Sequence, residues 1–314
     1  MSKQIYKDKF YTHFDKKKYH TNYEQSVQNI NWVSRHGFYP FIHFQMDCSK
    51  YTNDLEGNKF IKEKNRDIYY AAHIDRFIYE YYGNRLNSKY NNYMKSKGIG
   101  RVSTAYRNCS PGKCNIDFAK EVFEYIAKCE SAYIFVGDFS KFFDNLDHRY
   151  LKEKIKCVVG EKSLDVADYA IYKNITKFTY VEAEDIEAEK GLFRRDMREL
   201  DKYFETDEFH DFKKKYLHKN SKDYQIPQGS SISAVYANVY MIDFDKRIND
   251  FITSQKGIYR RYCDDIIVVI PMTHNEINCG RNEEISKFIY DTRDGIPNLK
   301  LNEDKTEHFF YNKT

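Results

Sequence analysis

The chain has no apolar run long enough to cross a bilayer. Its most hydrophobic stretch, IIVVI at 266–270, is five residues long, where a helical span needs about 20. The opening residues, MSKQIYKDKFYTHFDKKKYH, lack the apolar core of a secretory signal. A cytoplasmic protein with no membrane partner is the expectation. Cysteine is present without an arrangement: seven residues, an odd number and unclustered, point to reduced thiols. The closest pair, Cys109 and Cys114, has no second Cys or His pair at zinc-finger spacing. The surrounding NCSPGKC lacks the earlier glycine and the following Ser or Thr of a phosphate-binding loop, which excludes that motif. No nuclease, RNase H or protease motif is found. Asp and Glu are missing altogether from Tyr81 to Ile116. That stretch carries Arg85, Lys89, Lys95, Lys97, Arg101, Arg107 and Lys113, interleaved with Tyr90, Tyr93 and Tyr106. Cations for phosphates alternating with rings for bases suit a nucleic-acid track; the alternative is a solvated basic surface.

What is present is a chain of 314 residues, 41% hydrophobic and 31% charged, enough for a large core and more than one lobe. The net charge of +4 is carried by residues 1–20, with six Lys against two Asp. The acidic EAEDIEAE (182–189) should face solvent, away from any phosphate backbone.

Periodicity predicts a largely helical segment over the first ~130 residues, with helical spacing in IDRFIYEYYGNRL (74–86) and IDFAKEVFEYIAK (116–128), the second capped by Asp117. SAYIFVGDF (131–139) reads as a buried strand ending near Asp138, and Asp147 as the N-cap of HRYLKEKIKCVV. Residues 160–222 read as a charged, mostly helical surface insertion. IPQGSSISAVYANVYMIDFDKRINDFI (226–252) reads as a long helix after Pro-Gln-Gly. IYRRY and IIVVI read as strands around CDD, followed by a helix at about 282–292 and a final loop and strand. From residue 131 the order is βαββαβ, the ferredoxin-like split unit. Domains are therefore expected at 1–130 (N-terminal extension and fingers) and 131–314 (palm).

In that unit the end of the first strand lies beside the central hairpin, so Asp138 should meet Asp264 and Asp265. Two adjacent carboxylates where a buried strand begins repel one another unless cations offset them. A polar turn is the plain alternative.

With these four segments in view, the sequence resembles the reverse transcriptases. YCDD (262–265) resembles their YxDD box, and DFSKFFDNLDH (138–148) the motif bearing the first metal-binding aspartate. PQGSSISAVYANVYM (227–241) resembles the Pro-Gln-Gly motif, and LNEDKT (301–306) the lysine-bearing loop. SKGIGRVSTAYR (96–107) and NIDFAKEVFEYI (115–126) are most similar to the abortive-infection and defence-associated bacterial groups, with retron and group II intron enzymes more distant. The likeness runs from about Arg66 to the C-terminus.

The resemblance implies an α+β, right-hand polymerase with helical fingers and a ferredoxin-like βαββαβ palm; this sequence departs from the family in the helical thumb, which is expected to be absent. It implies RNA-directed DNA synthesis by two Mg²⁺ ions about 3.5–4 Å apart, with Mn²⁺ as a possible substitute. Asp138 and Asp264 would hold the metals, with Asp265 and the Phe139 carbonyl contributing. Gln228 and Gly229 would shape the floor under the templating base, unless Gly229 is a simple helix-start residue. Lys305 would protonate pyrophosphate, or be an exposed loop lysine. Arg66 and Lys64 would grip the triphosphate, or be surface cations. Phe143, five positions after Asp138, would exclude a 2′-hydroxyl, and with Tyr262 favours deoxynucleotides. Implied partners are an RNA template or noncoding RNA, a DNA product, dNTPs, and a companion protein or homo-oligomer in place of a thumb. Template-independent or protein-primed synthesis and a non-catalytic nucleic-acid scaffold are the rival readings.

Overall fold

The computed structural model describes residues 8–53, 57–107 and 112–313. The opening residues 1–7 and Cys109, on which two expectations above rest, lie outside them. Ten strands occur among the described residues: β1 (Phe41–Asp47), β2 (Lys50–Asn53), β3 (Lys59–Lys62), β4 (Asn65–Tyr70), β5 (Ser131–Asp138), β6 (Thr179–Glu182), β7 (His218–Lys219), β8 (Ile258–Tyr262), β9 (Asp265–Pro271) and β10 (Glu307–Asn312). The architecture is α+β. No helix among the described residues is long and apolar enough to cross a membrane.

The chain forms two compact units that interleave: Met1–Gly83 with Leu164–Lys222 and Ile226–Ser233, and Asn84–Ser163 with Asp223–Gln225 and Ala234–Thr314. A single division at residue 130 does not describe them.

The first unit is built on a sheet of order β4-β1-β6-β7. β1 pairs antiparallel with β4 and parallel with β6, while β2 and β3 form a separate hairpin. The mostly helical expectation fails here, because FIHFQMD and NRDIYY find ladder partners that local periodicity does not reveal. The expectation of a surface insertion at 160–222 also fails. Val181, Ala183, Ile186, Met197, Tyr203, Phe204 and Phe212 are buried in one cluster with Phe14 and Ile42. The acidic segment forms the helix Ala183–Lys190, whose Ile186 faces that core while Glu184 and Glu189 face solvent. Its charge hides an amphipathic pattern.

His13 is fully buried in this unit. Its Nδ1 accepts the Phe14 N–H at 2.8 Å, which leaves the proton on Nε2, 3.3 Å from the Tyr70 carbonyl. Burial of the ring lowers its pKa to about 4. Gly229, at φ +127°, lies so close to β4 that a Cβ would stand 2.5 Å from the Tyr69 carbonyl oxygen. The neighbouring Gln228 carbonyl accepts the Tyr69 N–H at 2.8 Å. The glycine is required by the protein's own backbone.

In the second unit the sheet order is β10-β5-β9-β8, antiparallel throughout. Numbered within the βαββαβ segment, that order is 4-1-3-2, the ferredoxin-like arrangement. The β-branched run of β9 fills its centre, with Val268, Val269 and Ile270 buried. The helices Ile242–Ser254 and Arg281–Asp294 bury Ile248, Ile252, Ile285 and Ile289. Asp147 caps the His148–Val159 helix by accepting the Tyr150 N–H at 2.7 Å, and Gly160, at φ +77°, ends it. Asp117 acts from inside the Asn115–Ile126 helix, accepting the Cys114 N–H at 2.8 Å. The expected long helix after Pro-Gln-Gly is two, Ser231–Tyr240 and Ile242–Ser254, broken at Met241.

Candidate active site

The end of β5 and the turn between β8 and β9 meet at one edge of the second unit's sheet. Ladder register places Asp138 opposite Asp265, which in turn pairs with Tyr262. Cys263 and Asp264 form the two-residue turn. Cys263 takes a positive φ of 58°, a conformation that favours glycine and costs a residue with a Cβ about 1–2 kcal/mol. The Phe139 N–H binds the Asp264 carbonyl at 3.1 Å, closing the strand end onto the turn. The Asn302 N–H binds the Asp138 carbonyl at 2.7 Å, bringing the 301–306 loop to the same edge.

Asp138 is buried and Asp264 half-buried, with their carboxyl groups within hydrogen-bonding reach of one another. Burial raises the Asp264 pKa, and the facing Asp138 raises it further, against hydrogen bonds that lower it. Lys305, in the 3₁₀ turn Glu303–Lys305, sets its ammonium against Asp138 Oδ2. A cation is thus already placed on one of the two carboxylates, and the donor set fits a hard divalent ion. Phe139 adds a main-chain carbonyl that takes no part in the non-hydrogen-bonded bridge to Leu301.

The expectation that three carboxylates gather needs correction. Among the described residues no group of three His, Cys, Asp or Glu side chains is placed to cage a metal. Asp138 and Asp264 converge; Asp265 is exposed at the start of β9.

Phe143 lies half-buried in the 3₁₀ turn Phe142–Asn145, its ring 5.8 Å from that of Phe142. Tyr262 is exposed at the end of β8. Gln228, Gly229, Arg66 and Lys64 belong to the first unit. Arg66 is exposed on β4, 3.8 Å from Cys48 Sγ, and Lys64 is exposed just before that strand.

The basic track is only partly available. Lys95, Lys97 and Arg101 are exposed, and Arg85 and Lys89 half-buried. Arg107 is a structural clip, donating to Asn91 Oδ1 and to the carbonyls of Gly100 and Ser103 at 2.6–2.8 Å. Lys113 pairs with Glu121. Tyr90 is fully buried and cannot stack on a base, and Lys97 lies over the Tyr93 ring.

Sequence reasoning missed what supports the turn. Arg261 is fully buried and grips Asp245 through Nε (2.8 Å) and Nη2 (2.7 Å). Its Nη1 donates to the Cys263 carbonyl at 2.8 Å and to Asn238 Oδ1 at 3.1 Å. Tyr259 also donates to Asp245, at 2.9 Å. The alternation in IYRRY, which puts Tyr259 and Arg261 on one face, was the available signal, together with a lone Asp in the apolar stripe of YMIDFDKRI. Tyr106, read as a stacking ring, is exposed and also meets the Cys263 thiol, which burial pushes up to about 12. That thiol stays protonated.

No protein-family model and no curated protein matches the chain. Among solved structures it is similar to apo telomerase from Candida tropicalis truncated from its C-terminal domain, at 13% identity and TM-score 0.50, over 94% of this chain and 56% of that one. Telomerase from Candida albicans in complex with a TWJ fragment of telomeric RNA gives 12% identity and TM-score 0.50, over 93% of this chain and 46% of that one. The fold is similar to that of these telomerase structures. At these identities the likeness is one of fold, and the chain spans about half the length of the structures it matches. The Asp138–Asp264 pair is a feature of this chain's own geometry within that fold.

Proposed function

We propose that the protein is an RNA-directed DNA polymerase that adds dNTPs to a primer 3′-hydroxyl, with the second unit as palm and the first as fingers. The single observation that carries this reading is the convergence of Asp138 and Asp264 at the edge of a 4-1-3-2 sheet. Asp138, Asp264 and the Phe139 carbonyl would hold magnesium, with manganese as a substitute and Asp265 contributing beside them. A divalent ion held by these groups would supply positive charge to favour deprotonation of the primer hydroxyl and to offset charge on the triphosphate. The Arg261 clip and the Phe139–Asp264 bond hold the two carboxylates in register. Lys305, paired with Asp138, would turn toward the departing pyrophosphate and donate a proton to it. Phe143 offers the sugar a ring and no hydrogen-bond acceptor, which favours deoxynucleotides.

An RNA partner fits this reading, since one of the similar structures is an RNA complex. The motifs SKGIGRVSTAYR and NIDFAKEVFEYI favour a role in bacterial antiviral defence beside a noncoding RNA, a companion protein or a second copy of the chain. Incorporation of labelled dNTPs on an RNA template with a DNA primer tests the activity. Template-dependent synthesis that disappears in Asp264→Ala is the expected result. Synthesis that persists when template is omitted moves the protein to template-independent or protein-primed chemistry. Binding without any synthesis, unaffected by Asp264→Ala, leaves a scaffold.

A further inference from the structure

The first unit contains an open groove of about 950 Å³ between its N-terminal segment and the 187–203 region. Four cations line it, Lys9, Arg194, Arg195 and Arg198, against one carboxylate, Glu187. Glu187 is partly engaged, since its Oε1 accepts the Arg194 N–H at 2.7 Å. Arg194 lies over the Phe44 ring at 4.3 Å, and its Nη1 is buried without an acceptor among the described residues. Between the cations stand two exposed rings, Phe10 at 54%, edge-on to Tyr19, and Phe193 at 64%, with the Arg195 guanidinium 5.3 Å from its centre.

The groove is held rigid. Thr12 Oγ1 donates to the Met197 carbonyl at 2.8 Å, Lys17 donates to the Arg198 carbonyl at 2.8 Å, and the Tyr203 N–H binds the His13 carbonyl at 2.9 Å. The arginine-bearing turn is thereby tied to the N-terminal segment, and little ordering remains to be done on binding.

We propose that this groove binds single-stranded nucleic acid, taking phosphates on Arg194, Arg195 and Arg198 and bases on Phe10 and Phe193. Cations interleaved with exposed rings match a repeating phosphate–base ligand. An acidic peptide would use the cations and leave the rings unpaired. The inference goes beyond the polymerase reading and does not depend on the carboxylate pair.

The test is fluorescence anisotropy of labelled 12-nucleotide single-stranded RNA and DNA with the full chain, over a salt series. Arg195 and Arg198 are exposed, so Arg195→Ala/Arg198→Ala should fold normally by circular dichroism. It should weaken binding at least about ten-fold and reduce the slope of log K against log salt by about 1.4, at about 0.7 per lost phosphate contact. Phe193→Ala should weaken binding at least about five-fold, the effect of losing one stacked base, with the slope unchanged. Lys213→Ala/Lys214→Ala, on the Thr206–Tyr216 helix, is the control for general surface charge and should have little effect. A preference for RNA or DNA identifies the source of the strand. Unchanged affinity in the groove variants, an equal loss in the control, or binding of dNTPs but of neither 12-mer would overturn the proposal. Asp264→Ala should leave these affinities intact, so failure here and failure of the polymerase reading are separately visible.

Discussion

Arg261 and Cys263 are linked by a buried hydrogen bond, Nη1 to carbonyl oxygen at 2.8 Å, at the one turn residue whose backbone is in the left-handed region. The same guanidinium is fixed by both oxygens of Asp245. The position of Asp264, the next residue, thus depends on a side chain that never reaches solvent.

Arg261→Met should destabilise the protein by about 3–5 kcal/mol, because it strands the Asp245 charge in the interior. Arg261→Lys keeps the charge but cannot bind Asp245 and the Cys263 carbonyl together. A folded Arg261→Lys variant should lose about 10²-fold in dNTP incorporation, chiefly in kcat, since a displaced turn misplaces Asp264. Urea denaturation together with steady-state kinetics checks both; equal kcat in wild type and lysine variant would dismiss the positioning role.

Asp264→Asn should raise the melting temperature in metal-free buffer by about 2–5 °C, because it removes a partly buried charge facing Asp138. Magnesium should then stabilise the wild type and not the variant. Thermal scans with and without Mg²⁺ read this independently of activity, and a variant still stabilised by Mg²⁺ would place the metal elsewhere.

Phe143→Ala should increase ribonucleotide incorporation relative to deoxynucleotide by about ten-fold or more, as a steric barrier is lost. Competition between rNTPs and dNTPs measures it. Unchanged sugar discrimination would refute the steric-gate assignment.

His13 makes the first unit acid-sensitive. Its folded pKa of about 4 lies below the unfolded value, so between pH 6.5 and 4 the unfolded chain binds a proton that the folded chain does not. Stability therefore falls as pH is lowered through this window, by roughly 3 kcal/mol at most. Buried Asp75, raised to about 6 chiefly by burial, works in the opposite sense: its contribution is present at low pH and lost as pH rises. The His13 contribution is accordingly read as the difference between wild type and His13→Asn in denaturation curves from pH 4 to 7.

Gly229→Ala should destabilise the first unit by about 2 kcal/mol or more, since its Cβ would meet the Tyr69 carbonyl at 2.5 Å from a φ of +127°. A stable Gly229→Ala protein would show that this turn can relax.

The second unit was legible because its signals are local. A β-branched run, paired carboxylates at a hairpin and caps such as Asp147 act over a few residues, and their order alone implies the βαββαβ sheet. Most of the first unit was not legible. FIHFQMD becomes β1 only because NRDIYY and TYVE lie beside it, and the charged 160–222 segment joins the core only because Phe14 and Ile42 are there to pack against.

Sequence by itself determined which residues carry the candidate chemistry, since Asp138 and YCDD are recognisable from their neighbours. Tertiary structure decided which of those carboxylates face each other and what holds them. Asp264 faces Asp138 from the turn, Asp265 stands opposite Asp138 in the ladder, Lys305 sets its ammonium there, Arg107 is engaged by backbone carbonyls, and Arg261 lies beneath the turn. The reason is physical: cross-strand register is set by pairing between distant segments, and a buried ion pair needs a partner from a distant element. Neither property can be read one residue at a time.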